Sequence, residues 1–224
     1  MTIPITFGLE EELYALYGGQ TSLGSLWPMG KLLWCDPARN WSGSATNFRR
    51  GRAALREPMS SVEVSTRVEG SAATLFVAAL ARRSELSRLF TEGQLVALGA
   101  LPRGDRYHTC GLHVHVGVPA SERARVYGNL AYFLPVLLRA SASSLGTAGE
   151  LSRVAESFAL GPLGEDPYTR FQDLIITRRL GTIELRALDP VPDPERLWHI
   201  LQAIEAIARL PLTLPFDRQE YNAL

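Results

Sequence analysis

At 224 residues, with 46% hydrophobic and 21% charged side chains, the chain has the composition of a globular protein long enough to bury a sizeable core. A formal net charge of zero and a pI near 6.9 argue against nucleic acid as a partner, and no run approaches the roughly 18 apolar residues of a membrane-spanning helix. Of 23 basic residues only Lys31 is a lysine, so recognition of an anion has to rely on arginine, backbone N–H groups or metal.

The N-terminal Met1-Thr2-Ile3-Pro4-Ile5 lacks a basic region and a long apolar run, so no signal peptide is expected. The first strand-like segment is Phe7-Gly8-Leu9-Glu10-Glu11-Glu12. Gly18 to Asn47, rich in Gly, Ser, Pro and Trp, reads as a long loop holding at most a hairpin. A second strand follows at Ser61-Val62-Glu63-Val64-Ser65. Ser71 to Thr91 is helical, with Ser71 as cap and Leu75, Ala79, Leu86 and Leu89 as the apolar stripe.

A third strand, Cys110 to Val116, contains His113 and His115 between Leu112, Val114 and Val116. Ser121 to Ala142 is a second helix, with Pro135 expected to kink it. Ser143 to Tyr168 is Gly/Ser/Glu-rich, with a weak helical patch from Glu150 to Phe158. Gly181 to Arg186 is the fourth strand. Asp193-Pro194-Glu195 then opens a third helix, with proline in its first turn, running to about Leu210.

These strands alternate polar and apolar residues, unlike the continuous apolar runs of a doubly covered parallel sheet. The fold class expected is α+β: a single domain over residues 1–224, with a mainly antiparallel sheet, helices on one face and a wet face opposite. Cys35 and Cys110 are far apart and outside any C-x-x-C spacing, which points to a reducing cytoplasm.

Side chains two apart on a strand share a face. Glu10 with Glu12, His113 with His115, and Glu184 with Arg186 are therefore same-face pairs, and Glu63 is flanked by two valines. Carboxylates with an added imidazole suit Mg²⁺ or Mn²⁺. Each element also has a plainer reading. Three successive acids fit a solvated strand end, Glu63 a solvent-facing position, Glu184 and Arg186 a surface ion pair, and His-x-His a structural pair. Phosphate-loop, dinucleotide and serine-elbow motifs are absent. A TIM-barrel metal hydrolase would need more βα units than this length holds.

Taken in order, Phe7 to Glu12, Val62-Glu63-Val64, Gly111 to Pro119, Leu134 to Leu138 leading to Ser141-Ala142-Ser143-Ser144, and Gly181 to Arg186 with Asp189 resemble the motif series of glutamate–cysteine ligase and related ATP-dependent carboxylate–amine ligases. The resemblance implies a glutamine-synthetase-like fold with a curved, mainly antiparallel sheet and helices on the outer face. It implies ATP and Mg²⁺ (or Mn²⁺) as cofactors, and small-molecule carboxylate and amine substrates joined through an acyl phosphate. By the same resemblance Glu10, Glu12, Glu63, His113 and Glu184 match the metal ligands. Arg186 and Glu63 match catalytic positions, and Arg186, Arg153 and His115 match nucleotide-facing ones. Relatives carry on the order of a hundred further residues, which leaves two expectations beside a minimal ligase: a homo-oligomer completing the site, or a non-catalytic relative that binds metal, nucleotide or amino acid.

Overall fold

The computed structural model describes residues 4–21, 27, 30–31, 34, 43–46, 61–103, 106–143, 173–177 and 179–215. Arg153 and the helical patch expected over 150–158 lie outside the described residues.

Ten strands and three helices of more than one turn are described. In chain order they are β1 (Thr6–Tyr17), β2 (Gln20–Thr21), β3 (Gly43–Thr46), β4 (Ser61–Ser65), α1 (Ala72–Leu89), β5 (Gln94–Val96), β6 (Ala100–Arg103), β7 (Arg106–Thr109), β8 (Leu112–Gly117), α2 (Arg123–Ser141), β9 (Leu174–Ile176), β10 (Ile183–Leu188) and α3 (Pro194–Arg209). The three expected helices and four expected strands are all present. The short β2, β5 and β9 and the β6–β7 hairpin carry too few residues for a periodicity to show.

The main sheet runs β3-β4-β1-β8-β10-β9, with β2 and β5 pairing further along β1, and every pairing is antiparallel. The long β1 is its spine. Alternation sends Phe7 and Leu9 of β1, Leu112, Val114 and Val116 of β8, and Ile183 and Leu185 of β10 to one face. There they pack against Leu75 and Ala79 of α1, Leu130 and Leu134 of α2, and Leu197, Leu201 and Ile204 of α3. All these side chains are buried. At about 1.5–3 kcal/mol for each large apolar side chain removed from water, this layer is the main source of stability.

Local chemistry starts the helices where the sequence expects. Ser71 Oγ accepts from Thr74 N at 3.2 Å to cap α1, and Asp193 Oδ1 accepts from Glu195 N at 3.1 Å to cap α3, with Pro194 in the first turn. A 3₁₀ turn at Ala120–Glu122 leads into α2, which contains Pro135 and continues on both sides of it. No described helix is long and apolar enough to cross a membrane.

Two features depart from a simple polar-out, apolar-in sheet. Tyr14 and Leu16 share the face of Glu10 and Glu12, yet are buried with Cys110 in a small separate cluster. The wet face is thus polar only along the first part of β1. Glu11 points the other way, into the helical layer, and is 1% exposed.

Candidate active site

Strand register decides which of the same-face pairs meet. On β1, Glu10 lies opposite His113 of β8, and Gly8 lies opposite His115. On the far side of β8, His115 lies opposite Glu184 of β10. Antiparallel partners share a face, so β1, β8 and β10 present Glu10, His113, His115 and Glu184 together.

The distances confirm the convergence. His113 Nδ1 is 3.7 Å from Glu10 Oε2 and 3.5 Å from Glu184 Oε1. His115 Nε2 is 3.6 Å from the same Glu10 oxygen and 4.0 Å from the same Glu184 oxygen. These separations are longer than an ordinary hydrogen bond, which needs an approach nearer 3 Å. Arg186 Nη1 donates to Glu184 Oε1 at 3.1 Å, placing a guanidinium beside the cluster. Pairing of β10 with β8 shifts register between Leu185 and Leu188, so Arg186 sits within a local irregularity of the strand. Bulges of this kind re-aim a side chain at a sheet's working end.

The electrostatics follow from that crowding. His113 and then His115 hold the Glu10 carboxyl well below the usual carboxylate range, against the opposing effect of burial. Burial pushes the His115 imidazolium down, but its contact with Glu10 and the charges of Glu184 and Glu10 outweigh that, and the net direction is upward. Glu184 is 4% exposed, an unusual place for a carboxylate unless cations share it.

Glu12 and Glu63 lie on the same face and directly opposite each other on β1 and β4. Glu12 Oε2 accepts from Gly111 N at 2.9 Å, tying that carboxylate to the start of β8. The structure therefore gathers Glu10, His113, His115, Glu184 and Arg186 into one cluster, with Glu12 and Glu63 further along the sheet.

Among the described residues, Glu10, His115 and Glu184 each offer one ligand atom within 4.8 Å of the others, a set that can share a metal ion. His115 Nε2 is buried without a hydrogen-bond partner and faces the two carboxylates. A buried nitrogen lacking a hydrogen bond beside two carboxylate oxygens fits a small divalent cation, so the residues pass the test of donor type and geometry.

Thr182, two residues before Glu184, belongs to the site although its residue type drew no attention in the sequence. Its Oγ1 lies 3.1 Å from His115 Nδ1. The signal that could have found it is the strand alternation that placed Glu184 and Arg186 on one face.

No protein-family model matches the chain, and no curated protein matches it in sequence. Solved structures do match in fold. A glutamine synthase homolog superposes with a TM-score of 0.61 at 15% identity, over 97% of this chain and 57% of that one. Glutamine synthetase from Plasmodium falciparum gives 0.59 at 12% identity, over 92% of this chain and 51% of that one. A bifunctional glutathione synthetase from Pasteurella multocida gives 0.58 at 9% identity, over 98% of this chain and 39% of that one. The chain spans about half the length of these structures, and its fold is the α+β fold of the glutamine synthetase type.

Proposed function

We propose that the chain is an ATP- and Mg²⁺-dependent ligase that joins a glutamate-like carboxylate to an amine, with chemistry of the glutamate–cysteine ligase kind. The observation that carries this reading is the convergence of Glu10, His115 and Glu184 on one sheet face with Arg186 hydrogen-bonded to Glu184. Fold relatives named as glutamine synthetase and glutathione synthetase support it.

Mg²⁺ or Mn²⁺ would be held by Glu10, Glu184 and a histidine, with Glu12 and Glu63 available along the same face. Bound there, it would neutralise charge on the nucleotide phosphates. In the proposed reaction a substrate carboxylate oxygen attacks the γ-phosphorus of ATP, the bond to the β–γ bridging oxygen breaks, and ADP leaves. The amine nitrogen then attacks the acyl carbon, phosphate departs with its oxygen, and the nitrogen gives up a proton. Arg186 supplies donors to the equatorial phosphoryl oxygens, where a planar guanidinium can bind two at once. Its bond to Glu184 keeps that guanidinium in place before substrate arrives.

A homo-oligomer is part of this proposal, and the cytoplasm is the compartment that fits Cys110 as a buried thiol outside any disulfide. The test is ADP release on adding glutamate and a panel of amines with Mg²⁺. ADP should appear only with acid, amine and metal together. Glu184→Gln and Arg186→Ala should each lower the rate at least about 100-fold, a loss typical of removing one group that stabilises transition-state charge. The other reading is a binding protein without turnover, since a likeness in fold at 9–15% identity carries no activity with it. A melting temperature raised by ATP and Mg²⁺ without ADP release would select it.

A further inference from the structure

The ring of His115 is gripped on the side away from the carboxylates. Its Nδ1 lies 3.1 Å from Thr182 Oγ1, which in turn lies 3.0 Å from Thr177 Oγ1. Thr177 Oγ1 also accepts from Thr182 N at 3.2 Å. These hydroxyls face each other because the chain reverses between β9 and β10. Thr177 N donates to Thr182 O, and Gly181 N donates to Thr177 O, each at 2.9 Å. Gly181 closes that turn at φ +66°, a conformation costly for residues with a side chain.

With Nδ1 engaged, Nε2 is committed to the space between Glu10 and Glu184. It is buried and has no hydrogen-bond partner. Its separations of 3.6 Å and 4.0 Å from their oxygens are too long for hydrogen bonds. They do suit donors sharing one small cation: at about 2.1 Å from an octahedral ion, two ligands lie about 3.0 Å apart when adjacent and about 4.2 Å apart when opposite. His113 is within a similar distance of the same oxygens. Among the described residues, no hydroxyl contact like that of Thr182 is seen on the His113 ring, which meets Glu10 and Glu184 through Nδ1.

We infer that Thr182 and Thr177 are positioning residues that set the ring of His115, making its Nε2 the nitrogen donor to a divalent cation held between Glu10 and Glu184. The inference rests on the metal reading proposed above, but not on ATP or on turnover. Metal-binding histidines are generally held through their second nitrogen, and loss of that hold costs about 10–100-fold in affinity. Here a hydroxyl pair takes the part more often played by a carboxylate or carbonyl.

The test uses the full chain and Mn²⁺ alone, without nucleotide. Free-ion electron paramagnetic resonance gives the Kd, and spin-echo modulation from ¹⁴N reports whether a histidine nitrogen binds the ion. The parent and His113→Ala should show the ¹⁴N signature, and His115→Ala should lose it. Thr182→Val should weaken the Kd about 10–100-fold, with Thr182→Ser restoring it. Thr177→Ala serves as a second probe of the hydroxyl pair should Thr182→Val fold poorly. Persistence of the ¹⁴N signal in His115→Ala, or parent-like affinity in folded Thr182→Val or Thr177→Ala, overturns the inference while leaving the metal site standing. A parent that binds no Mn²⁺ overturns both together, and absence of ADP release affects neither measurement.

Discussion

Glu11 and Arg83 form a two-point ion pair across the sheet–helix interface. Arg83 Nε donates to Glu11 Oε2 at 2.7 Å, and Nη2 donates to Oε1 at 2.5 Å. Arg83 Nη2 also donates to Val191 O at 2.7 Å, so β1, α1 and the approach to α3 meet at one guanidinium. The middle acid of Glu10-Glu11-Glu12 is thus committed to the helical layer, with its neighbours aimed at the site. A one-residue slip of β1 would turn Glu10 and Glu12 into the core and leave Arg83 unmatched.

Removing one partner leaves a buried charge without compensation. Arg83→Met should therefore cost about 3 kcal/mol or more in unfolding free energy, measured by urea titration. The double variant Glu11→Leu/Arg83→Met should recover much of that loss. If the double variant is as unstable as the sum of the singles, the pair is not energetically coupled.

Gly99 is buried against Asp189 so closely that a Cβ there would fall within the carboxylate. That carboxylate cannot swing away freely, since Oδ2 accepts from Ser143 N at 2.9 Å and from Ser143 Oγ at 3.3 Å. Ser143 Oγ in turn accepts from Gly99 N at 2.9 Å. Gly99→Ala should thus destabilise the protein by about 1–3 kcal/mol, the usual penalty of overpacking. A thermal melt that places Gly99→Ala within experimental error of the parent would show that the cluster has room to yield.

Glu205 of α3 caps a different helix. Its Oε2 accepts from Ala72 N at 2.7 Å, placing a carboxylate at the N-terminus of α1. Glu205 also pairs one turn along with the more exposed Arg209 at 2.7 Å. Loss of the cap in Glu205→Ala should cost about 1 kcal/mol, whereas Arg209→Ala should cost under about 0.5 kcal/mol. Equal losses in denaturant titration would mean that the carboxylate acts through the ion pair and not through the helix end.

The Glu10–His115 pair predicts how the metal-free protein responds to pH. Glu10 is held below its ordinary 4.5, so its contribution to stability is present above that value and is lost as pH falls. His115 is raised above its ordinary 6.5, so its contribution is present below that value and is lost as pH rises. The pair therefore favours the fold most between about pH 4.5 and 6.5. In chelator, parent and Glu10→Gln unfolding curves should lie furthest apart in this window and converge on either side. A difference independent of pH would remove the charge pair as its cause.

Much of this protein is decided locally. Ser71 and Asp193-Pro194 specify where two helices begin, because a cap needs only a side-chain oxygen near its own backbone. Alternation likewise assigns Glu10, Glu12, His113, His115, Glu184 and Arg186 to faces, since the two-residue period belongs to the strand itself. The ordered motifs pointed to the glutamine-synthetase type of fold for the same reason.

Tertiary structure alone decides which of those residues meet. Glu10 lies opposite His113, and His115 opposite Glu184, through pairings between strands far apart in the chain. No local period encodes that register. Packing of α1 against the sheet buried Glu11, which the run of acids left looking like its neighbours, because Arg83 lies 72 residues away in sequence. The turn between β9 and β10 brought Thr182 and Thr177 behind His115, giving one of two similar histidines a fixed direction. The sequence by itself determined which chemistry was available and on which face. Long-range backbone hydrogen bonds and side-chain packing decided which groups stand close enough to act on one ion.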